Sequence, residues 1–384
     1  MSRFTRLLAG AALAALVSSA GVVANAAPAS AAAGTWTQVS TGAGMTCAIG
    51  SDASLWCSGF DGILSYGSAD SRFVQVGANI YWASVSVGSY SVCAISTVGY
   101  GYCWGGNNYG QLGVGNHTNY LTPKAIAFSG KLISIANGGT HACAIDQWND
   151  LYCWGDGRSG ALGLNTDTTW NSPRYVGAGW SSVSAGGFSN CAIATDAKAY
   201  CWGSNYYGEL GLGVDDWEIW EPTEISGGGQ WISIDTGGGH SCGVSSSHRL
   251  YCWGLNNNGE LGAGYPNATN SPVRVGSTSA WGSVSVDGYR YTGDPDSSTC
   301  GLYTNGTRFC WGDNYYGQLG VGGTTDRHSP TRILNEGAWS QVSVGDRFAC
   351  GLRPDGTLQC WGHNGSHELG LGDTVNRSYP TTVG

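Results

Sequence analysis

Small and β-branched residues alternate in short runs along most of the chain, as in Ile133-Ser134-Ile135, Val85 to Gly88 and Val183 to Gly187. A period of two fits half-buried strands. Glycine-rich turns separate the runs, and no stretch sustains a helical apolar period. One representative unit contains four strand-like pieces: Pro123–Ala127, Leu132–Ala136, Ala142–Asp146 and Leu151–Gly155. The small-residue runs are expected innermost, where space is tightest.

The cysteines give the period of this pattern. All 14 fall into pairs with nine residues between the members. The pairs are Cys47 and Cys57, Cys93 and Cys103, Cys143 and Cys153, Cys191 and Cys201, Cys242 and Cys252, Cys300 and Cys310, and Cys350 and Cys360. Successive pairs start 46, 50, 48, 51, 58 and 50 residues apart. Such a period marks a repeat architecture. Roughly 28 short strands at this spacing predict an all-β, seven-bladed propeller of four-stranded antiparallel blades. If the two cysteines of a pair oppose each other in a hairpin, a three-residue loop remains, as in Pro354-Asp355-Gly356 or Gln147-Trp148-Asn149. Its last position needs a left-handed backbone, which Gly or Asn supplies in four of the seven loops. Opposed residues lie roughly 4.5–5.5 Å apart at Cα, within reach of a disulfide. One hairpin disulfide per blade is therefore expected. Zinc pairs are usually closer in sequence, and bridges between blades would ignore the uniform spacing.

Composition narrows the function. The 384 residues include 64 Gly and 17 Trp, only 11% are charged, and the net charge is -9. Nucleic acid is a poor partner for such a chain, because phosphate binding draws on Lys and Arg. Arg3 and Arg6 precede an apolar run from Leu7 to about Ala24, followed by Ala24-Asn25-Ala26 and Ala29-Ser30-Ala31. Residues 1–31 read as a secretory signal peptide cleaved near 26 or 31, its alanine-rich run of bacterial type, leaving 32–384 as one exported propeller. Export and an even cysteine count agree with disulfides.

Six units carry Cys-Trp-Gly, and six follow it with a Gly-x-Leu-Gly-like element, such as Gly110-Gln111-Leu112-Gly113. A proline then opens the next strand, as at Pro123, Pro173 and Pro222. This pattern resembles the regulator of chromosome condensation repeat family from Trp36 to Gly384, and the resemblance implies a seven-bladed propeller. The first unit departs from it with Cys57-Ser58-Gly59 and no Leu-Gly element, and the last places His367 where a glycine is expected. Some members of the family are exchange factors for small GTPases that use an inserted β-wedge. No wedge can be matched here, and an exported protein does not meet the GTPases of its own cytoplasm. A looser similarity connects the chain with the propeller-type β-lactamase inhibitory protein, which binds its enzyme through one face.

Twelve tryptophans recur with the repeat, in Cys-Trp-Gly or at the start of a strand. Trp56, Trp148, Trp170, Trp217 and Trp220 do not. Trp56 stands in for a recurrent Tyr and reads as structural. Trp217 and Trp220 sit in the acidic connection Val214-Asp215-Asp216-Trp217-Glu218-Ile219-Trp220-Glu221. Strand alternation places this connection, the Asn-Tyr-Tyr-Gly turns and the extended segment holding Tyr289 and Tyr291 on one face. Trp170, Tyr206, Tyr207, Asp215, Asp216, Trp217, Glu218, Trp220, Glu221, Tyr289 and Tyr291 are the candidate binding residues, since Trp and Tyr dominate binding hot spots. Loop packing is the competing reading. The acids match no calcium loop, and no metal or cofactor is expected. His141 and His240 fit structural hydrogen bonding, and no catalytic motif is visible. The sequence thus points to a non-catalytic, monomeric binding propeller. Its partner is an extracellular protein, with an inhibited enzyme as one case and a glycan or cell wall as the alternative.

Overall fold

The computed structural model describes residues 34–60, 64–66, 72–227, 229–264, 267–287, 297–333 and 336–384; the expected leader, Tyr289 and Tyr291 lie outside them. Seven antiparallel sheets follow one another along the chain. Six have four strands, and the first has five, because two short pieces, Ser65–Tyr66 and Val74–Val76, share its outer edge. Each blade is one continuous stretch of chain. Within a blade the strands run outward in sequence order, as in Leu132–Asn137, His141–Asp146, Asp150–Gly155 and Trp170–Ala178 for the third.

One feature of the sequence pattern is rephased. The proline-opened piece at Pro123 does not begin a blade. It lies in Tyr120–Ala125, the outermost strand of the second blade. Proline is tolerated there because an edge strand leaves one row of N–H groups unpaired.

Every cysteine pair is a disulfide within the middle hairpin of its own blade. Cys47 is bonded to Cys57, Cys93 to Cys103, Cys143 to Cys153 and Cys191 to Cys201. Cys242 is bonded to Cys252, Cys300 to Cys310 and Cys350 to Cys360. In each bridge the two residues are directly opposed. Their Cα atoms are 4.1–4.2 Å apart, closer than the sequence led us to expect. The hairpin closes on a hydrogen-bonded pair, such as Gly50 and Ser54. Alternation then puts the cysteines at a non-hydrogen-bonded site, where strands approach most closely. The last loop residue is left-handed in every hairpin. It is Gly99, Asn149, Gly306 or Gly356 in four blades and Ala53, Ala197 or His248 in the other three.

The blades are joined by three repeated contacts. On the hairpin side, the carbonyl of that left-handed residue accepts the N–H that opens the next blade. Gly99 thus receives Leu132 at 2.8 Å, and Gly356 receives Trp36 at 2.9 Å to close the ring. Further out, the indole N–H of Trp154, Trp253, Trp311 and Trp361 donates to the Gly-x-Leu-Gly carbonyl of the preceding blade at 2.8 Å. The second glycine of that element lies flat on the indole, where a Cβ would collide.

Around the central channel, a side-chain oxygen of six of the seven innermost strands accepts an N–H from the next blade. Ser40 receives Val87, Ser86 receives Asn137, Ser184 receives Thr236, Asp235 receives Val286, Ser285 receives Val344 and Ser343 receives Thr41, at 2.9–3.2 Å. Ala136 interrupts this girdle in the third blade. The channel encloses about 340 Å³.

The first unit's departures are compensated. Ser58 stands where the other blades have Trp, and Phe73 fills the space against Gly370 of the last blade. The Ser58 hydroxyl donates to the His367 carbonyl at 2.8 Å, and the Thr46 hydroxyl donates to the Glu368 carbonyl at 2.7 Å, as Ser241 and Thr299 do to Glu209 and Glu260.

Candidate functional site

The connections after the third strands and those after the first strands share one face. Neighbouring first-strand turns are linked there by backbone hydrogen bonds, such as Gly139 N–H to Gly186 carbonyl at 3.0 Å. The longer third-strand connections are shaped by an asparagine two residues beyond Cys-Trp-Gly. In the fourth blade, Asn205 Oδ1 accepts the Leu210 N–H at 3.1 Å, and its Nδ2 donates to the Asp216 carbonyl at 2.8 Å. Its own N–H donates to the Trp217 carbonyl at 2.7 Å. Asn107, Asn256, Asn314 and Asn364 hold the matching leucine N–H in the same way. Buried Glu209 fixes the Tyr206-Tyr207 turn by accepting the Tyr207 N–H at 2.8 Å.

On this frame stands an aromatic ledge. Trp217 is 71% exposed and Tyr206 65% exposed. Their rings meet edge to face at 6.0 Å, and Tyr206 meets Tyr207 likewise at 4.9 Å. The ledge is therefore rigid at its base and open at its tip. Asp215 Oδ1 accepts a hydrogen bond from Asn270 of the fifth blade at 3.0 Å, tying the loop across a blade boundary. Asp216, Glu218 and Glu221 are exposed. Arginines on the same face are engaged by acids of their own connections: Arg158 by Asp156 and Arg377 by Asp373. Among the described residues, no cation pairs with Asp215, Asp216, Glu218 or Glu221.

The other candidates separate. Trp220 lies half-buried in the outer strand Glu218–Glu224, clasped by the preceding blade through Asn165 N–H to its carbonyl at 3.0 Å. Trp170 packs on the apolar core between the third and fourth blades, with the Arg174 guanidinium 3.8 Å from its ring centroid. These two are edge packing, whereas Trp217 is not. His141 and His240 are buried and bond Asn190 at 2.9 Å and Thr299 at 2.8 Å. Burial holds the His141 imidazole below its usual pKa. Among the described residues, no group of three or more His, Cys, Asp or Glu is placed to hold a metal ion, and no helix is long and apolar enough to cross a membrane.

The sequence missed the Asn205-type clamp and the channel girdle. Both carried a signal: Cys-Trp-Gly-x-Asn recurs in five units, and Ser recurs at the fifth position of the innermost strand. A second aromatic group, Tyr315 with Tyr316 and His363, stands on the same face, and Tyr315 is 69% exposed.

Comparison with known proteins agrees with this architecture. The regulator of chromosome condensation (RCC1) repeat matches residues 99–145, 149–193, 196–244, 247–286 and 305–352. This chain belongs to that repeat family. It is 30% identical to the ultraviolet-B receptor UVR8 of Arabidopsis thaliana over 289 residues, or 72% of this chain. It spans 52% of that receptor's length, and 2% of the human E3 ubiquitin-protein ligase HERC2, to which it is 33% identical over 118 residues. Among solved structures, human WBSCR16 superposes with a TM-score of 0.71 at 22% identity, covering 82% of this chain and 86% of that one. Prp20p of Saccharomyces cerevisiae gives 0.70 at 18% identity, with 84% of each chain covered. At these identities the structural matches show the fold alone.

Proposed function

We propose that this repeat propeller is a secreted binding protein that recognises an extracellular protein through the face bearing Tyr206 and Trp217. The observation that carries this reading is the ledge itself, two large exposed aromatics on a clamped loop, ringed by carboxylates without cations. Aromatic anchors of this kind contribute most where their base is preorganised. The uncompensated acids favour a partner with a basic surface, through steering and register. Export is supported by the leader-like segment and by seven disulfides, which persist in oxidising compartments. Inhibition of an extracellular enzyme is the specific form proposed, since a rigid ledge can fill a cleft. Prp20p, of the same fold, is described by its binding to Gsp1p and histones.

The test is capture from a bacterial secretome and cell-wall extract with the oxidised protein and with a Tyr206→Ala, Trp217→Ala variant. A protein retained by the first and lost by the second supports the reading. Equal capture by both contradicts it, and retention of wall polymer alone favours the glycan alternative.

A further inference from the structure

The hairpin side of the ring carries a surface that only two blades share. At the second loop position, five blades place Asp52, Asp196, Ser247, Asn305 and Asp355. The second and third blades place Val98 and Trp148 there. Tyr81, Tyr100 and Ile133 stand around them. All five are exposed, Trp148 to 66% and Tyr81 to 69%. Backbone bonds make them neighbours. The Thr97 N–H donates to the Tyr81 carbonyl, Leu132 to Gly99 and Gln147 to Lys131, at 2.8–3.0 Å. A lone exposed apolar residue needs no explanation, but a contiguous group on adjacent blades marks an interaction site.

The charges say what fits it. Lys131 is exposed between the two hairpins, and half-buried Asp150 follows the Trp148 loop. Neither makes an ion pair among the described residues. One cation and one anion beside an apolar centre are complementary to their own copy across a two-fold axis, where residue i meets j and j meets i. The opposite face disfavours self-association, because its unpaired acids repel their like. Three of the other hairpin tips carry Asp52, Asp196 or Asp355, so on this side a second copy of a chain of net charge -9 meets least repulsion at the second and third blades.

We propose that Tyr81, Val98, Tyr100, Ile133 and Trp148 form a two-fold contact between two copies of this chain. Lys131 of each copy faces Asp150 of the partner subunit, and both acidic faces point outward. The contact is independent of the Tyr206–Trp217 ledge and stands or falls separately.

Sedimentation velocity over a concentration series reads it directly. The wild-type protein is expected to dimerise reversibly. Trp148→Ala and Lys131→Glu should each weaken the dimer about tenfold or more. Asp150→Lys alone should weaken it as well. An equimolar mixture of Lys131→Glu and Asp150→Lys chains should recover it, because both cross-pairs then have opposite signs. A chain that stays monomeric at about 1 mM overturns the proposal. So does a dimer indifferent to Trp148→Ala, or a mixture no stronger than its components. If monomers bind a soluble glucan or chitin oligomer through Trp148, the surface is a glycan site and the proposal is also overturned.

Discussion

Asp235 is the one acid in a girdle that otherwise uses serine. Its Oδ2 accepts the Val286 N–H at 2.9 Å, and its Oδ1 accepts the Ser184 hydroxyl at 2.6 Å. Those bonds favour the carboxylate, but enclosure in the channel wall outweighs them and raises its pKa to about 6. The unfolded chain releases this proton near the ordinary value of 3.8. Between these values the folded state holds more protons, so its stability falls as pH rises and levels off above about 6. Asp235→Ser keeps an acceptor for Val286. It should add on the order of 2 kcal/mol at pH 7 and nothing at about pH 3.5. Urea melts at both pH values check this. A second residue-scale prediction concerns the hairpins. Ala197 holds φ 67° where three other blades use Gly. Ala197→Gly should stabilise by about 0.5–1 kcal/mol, since relief of left-handed strain exceeds the added chain entropy.

At the level of elements, the hairpins were legible because their spacing never varies. A disulfide needs one geometry, and only directly opposed strands repeat it seven times, from Cys47 with Cys57 to Cys350 with Cys360. Cys143→Ala with Cys153→Ala should cost about 2–3 kcal/mol, as expected for a ten-residue loop, and leave the other blades intact. The strand containing Pro123 was misplaced because proline signals a strand boundary without saying which sheet follows. The repair in the first blade was illegible for a different reason. Ser58 is an evident departure from Cys-Trp-Gly, but Phe73 lies fifteen residues later, where the other six blades carry proline, and that exchange does not name its neighbour. Only packing joins it to Gly370. Phe73→Ala should cost about 3 kcal/mol and lower the unfolding midpoint, because it empties the site between the first and last blades.

For the molecule as a whole, the sequence grouped the candidate loops on one face but did not separate exposed aromatics from packed ones. It grouped Trp170, Trp217 and Trp220 because all three follow Cys-Trp-Gly in neighbouring units. The structure divides them by depth. Outer-strand pairing half-buries Trp220, a core contact absorbs Trp170, and the Asn205 clamp projects Trp217 beyond the blade. Exposure depends on loop path, which residue type does not encode. If the acids around Trp217 meet basic groups of the partner, affinity should fall as salt rises from about 50 to about 500 mM, chiefly through slower association. The central claim is that Trp217, not Trp220, anchors the partner. It is tested most directly by calorimetric titration of the captured protein into wild-type, Trp217→Ala and Trp220→Ala chains. The account predicts a loss of about 2 kcal/mol, near thirtyfold, for Trp217→Ala and a change within about twofold for Trp220→Ala. Equal effects, or none from Trp217→Ala, would contradict it.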